Sequence, residues 1–384
     1  MELYVHIPFC ARKCEYCSFV SFPASEEQKD AYIDAVLQEA ETRKAEIKDP
    51  VETVYFGGGT PSILSPAQIT RLVRGLQSVI PFDACEEFSI EANPGTVTDS
   101  FMEAISGLQV NRLSLGMQAY QDHLLKTLGR IHSFREVQSS VKTAAEYGLT
   151  NLNLDLIFGI PGQALRDWDE TLEAALSLHP VHISAYGLIP EEGTPLWDRL
   201  SRREILLPDP DLEREMYDLA LNKLKNRGLE QYEISNFAAK GFECRHNIGY
   251  WTQKEYLGLG VSAASMLITE KSDTGMTCIR KTNPDKMEQY LRMVSDGGST
   301  GPEETVTPRE ARFETMMLAL RMNQGIRPER FMELHGLSID FCYGKQLKKM
   351  KNSGLMQFND GAWSLTRRGM DIQNSILVEF MEDP

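Results

Sequence analysis

Cys10-Ala-Arg-Lys-Cys14-Glu-Tyr-Cys17 places three thiols in one eight-residue loop, with the spacing C-x3-C-x2-C. Thiolates at that density take three corners of a cuboidal iron–sulfur cluster and leave the fourth iron without a protein ligand. An open metal position is what direct binding of a chelating molecule requires. S-adenosylmethionine suits it, because its amino and carboxylate groups chelate the open iron. One electron from the cluster then cleaves the sulfonium–carbon bond and releases a deoxyadenosyl radical. In such a site the hard chemistry belongs to the cofactors, while the protein orients them and excludes water. Tyr16 and Phe19, beside the last cysteine, are candidates for part of that dry wall. The competing use of the loop is a zinc site, which needs a fourth protein ligand; His6 is the only nearby candidate. The spacing also departs from the paired C-x2-C usual for zinc.

How those thiols behave depends on the compartment. Met1–Pro8 has neither a basic start nor a long apolar stretch, so it does not read as a signal peptide. No window reaches the apolar length that spans a bilayer. The expected location is the cytoplasm, where thiols stay reduced and clustered cysteines bind metals or catalyse. Peripheral association with the inner face of the membrane would leave no signature here. Cys85, Cys244, Cys278 and Cys342 are scattered and read as small buried hydrophobes. With 384 residues, 42% hydrophobic and 25% charged, the chain suits one large packed domain plus a smaller one. Its net charge of −15 argues against a general grip on nucleic-acid phosphates, which depends on lysine and arginine displacing counterions. No nucleic-acid partner is expected, although a local basic patch is compatible with that balance.

The elements that must position the loop follow from periodicity. Strand-like runs at 3–7, 53–56, 87–91, 112–115, 152–158 and 182–186 alternate with helical patterns at 28–46, 66–79, 99–107, 134–147 and 164–178. This alternation predicts βα units with right-handed crossovers and a parallel sheet, hence a partial or full barrel. The runs end in Gly57-Gly58-Gly59-Thr60-Pro61, Glu91-Ala92-Asn93-Pro94, Gly116-Met117-Gln118 and Gly159-Ile160-Pro161-Gly162. Ligand chemistry in barrels gathers at the C-terminal strand ends, so these features are expected to converge. Leu207-Pro-Asp-Pro-Asp211 reads as a junction, and a less regular region follows. From Thr307 onward the pattern is three helices, at 311–321, 328–333 and 340–351, and a hairpin at 356–365 around Asn359-Asp360-Gly361. Lys345, Lys348, Lys349 and Lys351 read as a solvated helix face rather than a DNA-reading surface.

Tyr4-Val-His-Ile-Pro-Phe-Cys10, Phe56-Gly-Gly-Gly-Thr-Pro61, Ile90-Glu-Ala-Asn-Pro94, Ser114-Leu-Gly-Met-Gln118 and Asp155-Leu-Ile-Phe-Gly-Ile-Pro161 stand in this order along the chain. On these motifs the chain resembles the oxygen-independent coproporphyrinogen III oxidase group of radical-SAM proteins over essentially its whole length. The resemblance implies an α/β fold with a partial (βα)6 TIM-like radical-SAM barrel over residues 1–210. A middle extension over 211–305 and a small C-terminal winged-helix-like α+β domain over 306–384 would complete it. It implies a 4Fe–4S cluster on Cys10, Cys14 and Cys17. Gly58, Gly59 and Thr60 match the turn that meets the methionine end of S-adenosylmethionine, where the lack of Cβ lets the backbone come close. Glu91, Gln118, Arg130 and Asp155 match positions that contact the cofactor's charged and hydroxyl groups, and carboxylates readily accept from ribose hydroxyls. Tyr4 matches a tyrosine beside the sulfonium. Read without the resemblance, Tyr4 is a core strand aromatic, and Glu91 and Asp155 belong to a buried ion pair.

Two departures separate the chain from the oxidases themselves. Those resemble C-x3-C-x2-C-x-C, whereas Phe19 occupies the fourth position here, and they carry a long segment ahead of the motif where nine residues precede Cys10 here. Both features are similar to the family branch whose members act as heme chaperones. His246-Asn247-Ile248-Gly249-Tyr250-Trp251 resembles the H-N-x-x-Y-W signature of that branch, which implies heme binding through His246, Asn247, Tyr250 and Trp251. Histidine is a natural axial ligand, and tyrosine and tryptophan stack on a flat macrocycle. Taken alone, a loop histidine is more often a hydrogen-bonded structural residue, and Cys244 offers a thiolate as another ligand. The expected function is a radical-SAM heme chaperone that passes heme to an apo-hemoprotein, such as a membrane respiratory enzyme, and takes electrons from a donor. The alternatives are a coproporphyrinogen III dehydrogenase and a radical-SAM tRNA modifier. The acidic balance and the lack of a basic–aromatic stretch count against the second.

Overall fold

The computed structural model describes residues 1–272, 275–298 and 303–381, so 273–274, 299–302 and 382–384 of the expected middle and C-terminal segments lie outside the described residues. Six strands, β1 (Glu2–Ile7), β2 (Thr53–Gly58), β3 (Glu87–Ala92), β4 (Arg112–Gln118), β5 (Leu152–Phe158) and β6 (His182–Gly187), lie side by side in chain order and all run parallel. Between them run α1 (Glu26–Arg43), α2 (Pro66–Val79), α3 (Asp99–Ser106), α4 (Asp122–Thr127), α5 (Phe134–Glu146) and α6 (Leu165–Leu176). The fold is therefore α/β, as the alternation predicts.

Local sequence explains both element types. Leu3, Val5 and Ile7 alternate with Glu2, Tyr4 and His6, so one face of β1 enters the apolar core while the other carries polar groups. In α2, Ile69, Leu72, Val73 and Leu76 recur at helical spacing and all are buried. Ser25 and Ser65 start α1 and α2 with reciprocal capping boxes to Gln28 and Gln68.

The six parallel strands do not close on themselves among the described residues. After α7 (Pro195–Ser201) and α8 (Pro210–Lys225), β7 (Glu230–Gln231) and β8 (Asn236–Ala238) extend the sheet beyond β6 in antiparallel pairing. A short helix, α9 (Arg245–Trp251), leads to β9 (Tyr256–Leu259), which pairs parallel to β1. The antiparallel strands β10 (Ala264–Ser272), β11 (Gly275–Thr282) and β12 (Glu303–Val306) continue outward, giving a twelve-stranded sheet, with α10 (Met287–Ser295) between β11 and β12. Leu257, Leu259, Val261, Tyr290 and Val294 share one apolar core with the parallel strands. The irregular middle region is thus a continuation of the first layer system.

Two local expectations change. The proline-rich junction runs straight into α8, because Asp209 caps it by accepting from the Asp211 N–H (2.9 Å) and Pro210 fits the first turn. The His246–Trp251 segment is helix rather than loop. The C-terminal part follows the expected order, with α11 (Pro308–Ala319), α12 (Pro328–His335), α13 (Ile339–Asn352), hairpin strands β13 (Met356–Asn359) and β14 (Ala362–Leu365), then α14 (Arg367–Asp371) and α15 (Gln373–Val378). Asp360 and Gly361 both have positive φ, 51° and 77°, as a tight hairpin turn demands. These elements hold a second core around Phe331, Tyr343 and Phe380, while Lys345, Lys348, Lys349 and Lys351 face solvent.

A buried ionic knot ties the added strands to the parallel sheet. Arg43 donates to Glu39 (3.0 Å), to the Gly258 carbonyl (3.0 Å) and to Ser265 Oγ (2.9 Å). Glu39 also accepts from Asn283, Tyr290 and the Gly260 N–H. Removing one partner strands a buried charge, so Arg43→Ala is expected to cost about 3–5 kcal/mol. Arg71→Ala breaks only the exposed pairs to Asp30 and Asp34 and is expected to cost about 0–1 kcal/mol. Urea unfolding of both variants checks this; equal small losses would refute the knot's role.

Candidate functional site

The cysteine loop leaves β1 directly. Its base is fixed by two backbone hydrogen bonds, Cys10 N–H to the Phe22 carbonyl (3.1 Å) and Phe22 N–H to the Pro8 carbonyl (2.9 Å), with Phe9 buried between Phe22 and Tyr32. Its tip is held by Glu15 N–H on the Leu128 carbonyl (3.0 Å). Cys10, Cys14 and Cys17 are half-buried free thiols. Burial pushes the Cys10 and Cys17 thiols up, partly offset by hydrogen bonds from neighbouring groups. Tyr16 packs against the apolar cluster that includes Leu124 and Leu128, as a dry wall would, but Phe19 is 65% exposed. His6 is committed elsewhere: its Nε2 lies 2.9 Å from the Val20 carbonyl and its Nδ1 3.0 Å from Tyr4 Oη. It leaves no nitrogen for a fourth ligand in this arrangement.

The strand-end motifs do come together beside this loop. Thr60 Oγ1 lies 3.3 Å from Cys10 Sγ and accepts from Asn93 Nδ2 (2.7 Å). Arg130 donates to Asn93 Oδ1 (2.6 Å), the Gly116 carbonyl (2.8 Å) and Cys14 Sγ (3.5 Å), and its Nε is buried without a hydrogen-bond partner. Gly58 has φ 109°, and a Cβ there would overlap the His6 ring; a Cβ at Gly59 would sit 2.7 Å from the Phe9 carbonyl oxygen. The β4–β5 register slips between Gly116 and Gln118, and Gln118 takes φ 64°, a bulge of the kind that re-aims side chains near sites.

Glu91 and Asp155 are not members of one ion pair. Glu91 accepts from Tyr55 Oη (2.8 Å) and the Gly58 N–H (3.2 Å); Asp155 accepts from Ser114 Oγ (2.8 Å) and Asn153 Nδ2 (2.9 Å). Desolvation, then the negative charge of Asp155, raises Glu91 to about 7. Two carboxylates facing one mouth are suited to a ligand carrying positive charge and hydroxyl groups.

At the opposite, N-terminal end of the strands, α9 plugs the sheet. Glu87 accepts from the Arg245 N–H (2.9 Å), the His246 N–H (3.2 Å) and Cys244 Sγ (3.4 Å). Burial raises the Cys244 thiol to about 12, so it sits there as a thiol and not as a thiolate. His246 is 1% exposed, with Nδ1 2.7 Å from Thr53 Oγ1 and 3.1 Å from Glu2 Oε2, and Nε2 2.9 Å from Tyr250 Oη. Both ring nitrogens are therefore engaged, and the ring stacks on Tyr55. In this conformation neither imidazole nitrogen of His246 is free to meet a ligand. Gly249 is required here, because a Cβ would overlap the Glu2 carboxylate.

Nor do the four signature residues share one cavity. Tyr250 lines a cavity of about 720 Å³ bounded by Tyr4 and His6 of β1, Phe19 of the cysteine segment, Met266 of β10, Arg280 of β11 and Met317 of α11. Trp251, one residue and thus about 100° further round the helix, lines a separate cavity of about 150 Å³ against the C-terminal helices, with Arg321 over its ring. Asn247 lines neither. The larger cavity escapes sequence reading because its walls come from β1, β9–β11 and α11, far apart in the chain; its Tyr256, Met266, Arg280, Glu314 and Met317 carry no local signal.

A three-thiol loop after the first parallel strand and a glycine turn after the second define the frame of a radical-SAM protein, and residues 4–175 match the Radical SAM superfamily. Residues 306–372 match the HemN C-terminal domain. The chain is 34% identical to the heme chaperone HemW of Bacillus subtilis, covering 98% of each chain. It is 33% identical to that of Lactococcus lactis, covering 99% of this chain and 97% of the relative. In fold it is similar to the Escherichia coli coproporphyrinogen III oxidase HemN, a radical SAM enzyme, with a TM-score of 0.83 over 99% of this chain and 89% of that one, at 24% identity. This chain belongs to the HemW family. Among the described residues no helix is long and apolar enough to cross a membrane.

Glu91 carries a pH signature. Its folded value lies above its ordinary 4.5, so its ionisation opposes folding; stability from the neutral form is complete below about 4.5 and lost as pH rises through about 7. Glu91→Gln is expected to be more stable than the parent at pH 8, by up to about 3 kcal/mol, with the gain shrinking at pH 5. Denaturant unfolding at the two pH values tests it, and a pH-independent difference would count against a desolvated Glu91.

Proposed function

We propose that this chain is a radical-SAM heme chaperone: it holds a 4Fe–4S cluster and S-adenosylmethionine at the strand ends, binds heme, and passes it to an apo-hemoprotein. The observation that carries the reading is the large, mainly apolar cavity beside the cysteine segment, with Phe19 on its wall where the oxidases have a fourth cysteine. Cavities of about 300–1,000 Å³ suit cofactor-sized ligands. The heme-chaperone relatives that this chain matches along its whole length support the same assignment.

The residues present suit the cluster and the sulfonium nucleotide. Cys10, Cys14 and Cys17 would each hold one iron. His6, the nearby candidate for a fourth zinc ligand, has both ring nitrogens engaged, which favours a three-thiolate cluster over one tetrahedral zinc. When bound, the cluster would supply one electron to the open-iron ligand. The chain's own contribution is positioning. Arg130, with its unpartnered Nε, holds positive charge against Cys14, and the Cβ-free Gly58 and Gly59 leave a backbone cradle. Thr60 and Gln118 line the approach, Glu91 and Asp155 accept from ligand donors, and Tyr4 beside His6 closes the side toward the heme cavity.

Cys14→Ala is expected to abolish the brown absorbance of anaerobically reconstituted protein, and a cluster that survives the change would refute the ligand assignment. Incubation with coproporphyrinogen III, S-adenosylmethionine and dithionite under anaerobic conditions is expected to yield no protoporphyrinogen. Its appearance at enzymatic rates would replace the chaperone reading with that of a dehydrogenase.

A further inference from the structure

Two tyrosines on the wall of the large cavity each face an imidazole nitrogen. Tyr4 Oη lies 3.0 Å from His6 Nδ1, and Tyr250 Oη lies 2.9 Å from His246 Nε2. What stands behind the imidazole differs. His6 Nε2 donates to a neutral carbonyl, that of Val20. His246 Nδ1 is backed by a carboxylate, Glu2 Oε2 at 3.1 Å, and by Thr53, whose hydroxyl hydrogen goes to the same carboxylate. Because that hydroxyl donates to Glu2, its oxygen can only accept from His246, which places the imidazole proton on Nδ1 and leaves Nε2 to accept from Tyr250. Glu2, His246 and Tyr250 thus form a carboxylate–imidazole–phenol relay. Two of its members are fully enclosed and the third faces the cavity.

We propose that Tyr250, and not His246, supplies the ligand to heme iron, with heme in the large cavity and His246 acting as the residue that positions Tyr250 and takes its proton. This rests on the heme-chaperone reading above. The step balances without electron transfer. The phenol O–H bond breaks, a bond forms between Tyr250 Oη and ferric iron, and the proton moves to His246 Nε2, where Glu2 stabilises the resulting imidazolium. Tyrosinate is an established axial ligand of ferric heme. A buried phenol does not ionise unaided, and burial raises Tyr250 further, so the anion forms only with iron opposite it. Lys254 and Arg280 also line the cavity, placing two positive side chains within reach of heme carboxylates, although Lys254 already pairs with Glu52 and lies 3.9 Å from Glu2 of the relay, and Arg280 pairs with Glu314 and Glu304. Tyr256 is less suited as the ligand, because its oxygen already accepts from Arg280.

The test is titration of ferric heme into the full-length, cluster-loaded protein, followed by affinity and by resonance Raman and electron paramagnetic resonance spectra. The parent is expected to show tyrosinate–iron vibrations and a high-spin ferric signal. Tyr250→Phe, which keeps the ring and its packing, is expected to lose the tyrosinate bands and at least tenfold in affinity, while Tyr4→Phe keeps the bands. His246→Gln is expected to weaken binding yet retain them. Met317→Trp, which fills the cavity without touching the relay, is expected to lower affinity at least tenfold. Tyrosinate bands that persist in Tyr250→Phe, or an imidazole-ligated spectrum abolished by His246→Gln, would overturn the proposal while leaving the chaperone reading standing. A parent protein that binds no heme would overturn both.

Discussion

Glu87 at the start of β3 is the residue on which the interior depends. A charge this deeply placed is tolerable only if its oxygens are satisfied, and the backbone N–H groups of Arg245 and His246 do so as the first turn of α9. The helix would otherwise leave those N–H groups without partners, and Glu87 would lose three of the donors that reach its oxygens. Each solves the other's problem. Once α9 is pinned, His246 must stack on Tyr55, Gly249 must pass the Glu2 carboxylate, and Tyr250 and Trp251 must diverge to different cavities.

From that anchor the two ends of the sheet acquire different characters. The N-terminal strand ends carry a buried polar layer, in which Asn153 and His182 bond each other and His182 reaches Tyr232, whose hydroxyl accepts from the Cys244 N–H. Its histidine and cysteine are held neutral by burial. The C-terminal ends carry half-buried thiols, a carboxylate raised to about 7 and the Arg130 guanidinium beside Cys14. What separates the two ends is the kind of group: interlocked side chains covered by α9 at the floor, and thiols, a carboxylate of raised pKa and an arginine around the mouth.

The parts legible in the sequence were those whose signal is local. The strand starts at Thr53, Glu87, Arg112, Leu152 and His182 coincide with the apolar runs, and α2 spans the predicted 66–79. The cysteine loop and glycine turn are read correctly as neighbours because parallel strands deliver consecutive strand ends to one edge. The segment at 245–251 was not legible as helix, because only seven residues long and capped by a carboxylate 158 positions away, it has neither the apolar period nor the local cap that announces one. The same distance explains His246: a motif reveals which residues matter to a family, while the partners that occupy its nitrogens come from β1 and β2 and are visible only once the sheet is assembled.

The cavity and the cysteine loop share a wall, and this constrains how they can serve one function. Tyr4 and His6 project from the same face of β1; His6 touches Val20 on the cysteine segment, Tyr4 on the cavity side, and the Cβ-free Gly58 of the glycine turn. This wall is one side chain thick and borders the large cavity on its other side. A group seated against Gly58 would meet the His6 ring, whose bonds to Val20 and Tyr4 hold it against the cavity. The proposed heme cavity and the strand-end mouth are adjacent through β1, and the same strand supplies Glu2 of the relay on Tyr250. If heme and the sulfonium nucleotide occupy these two places, β1 is the element through which the one would alter how tightly the other is held.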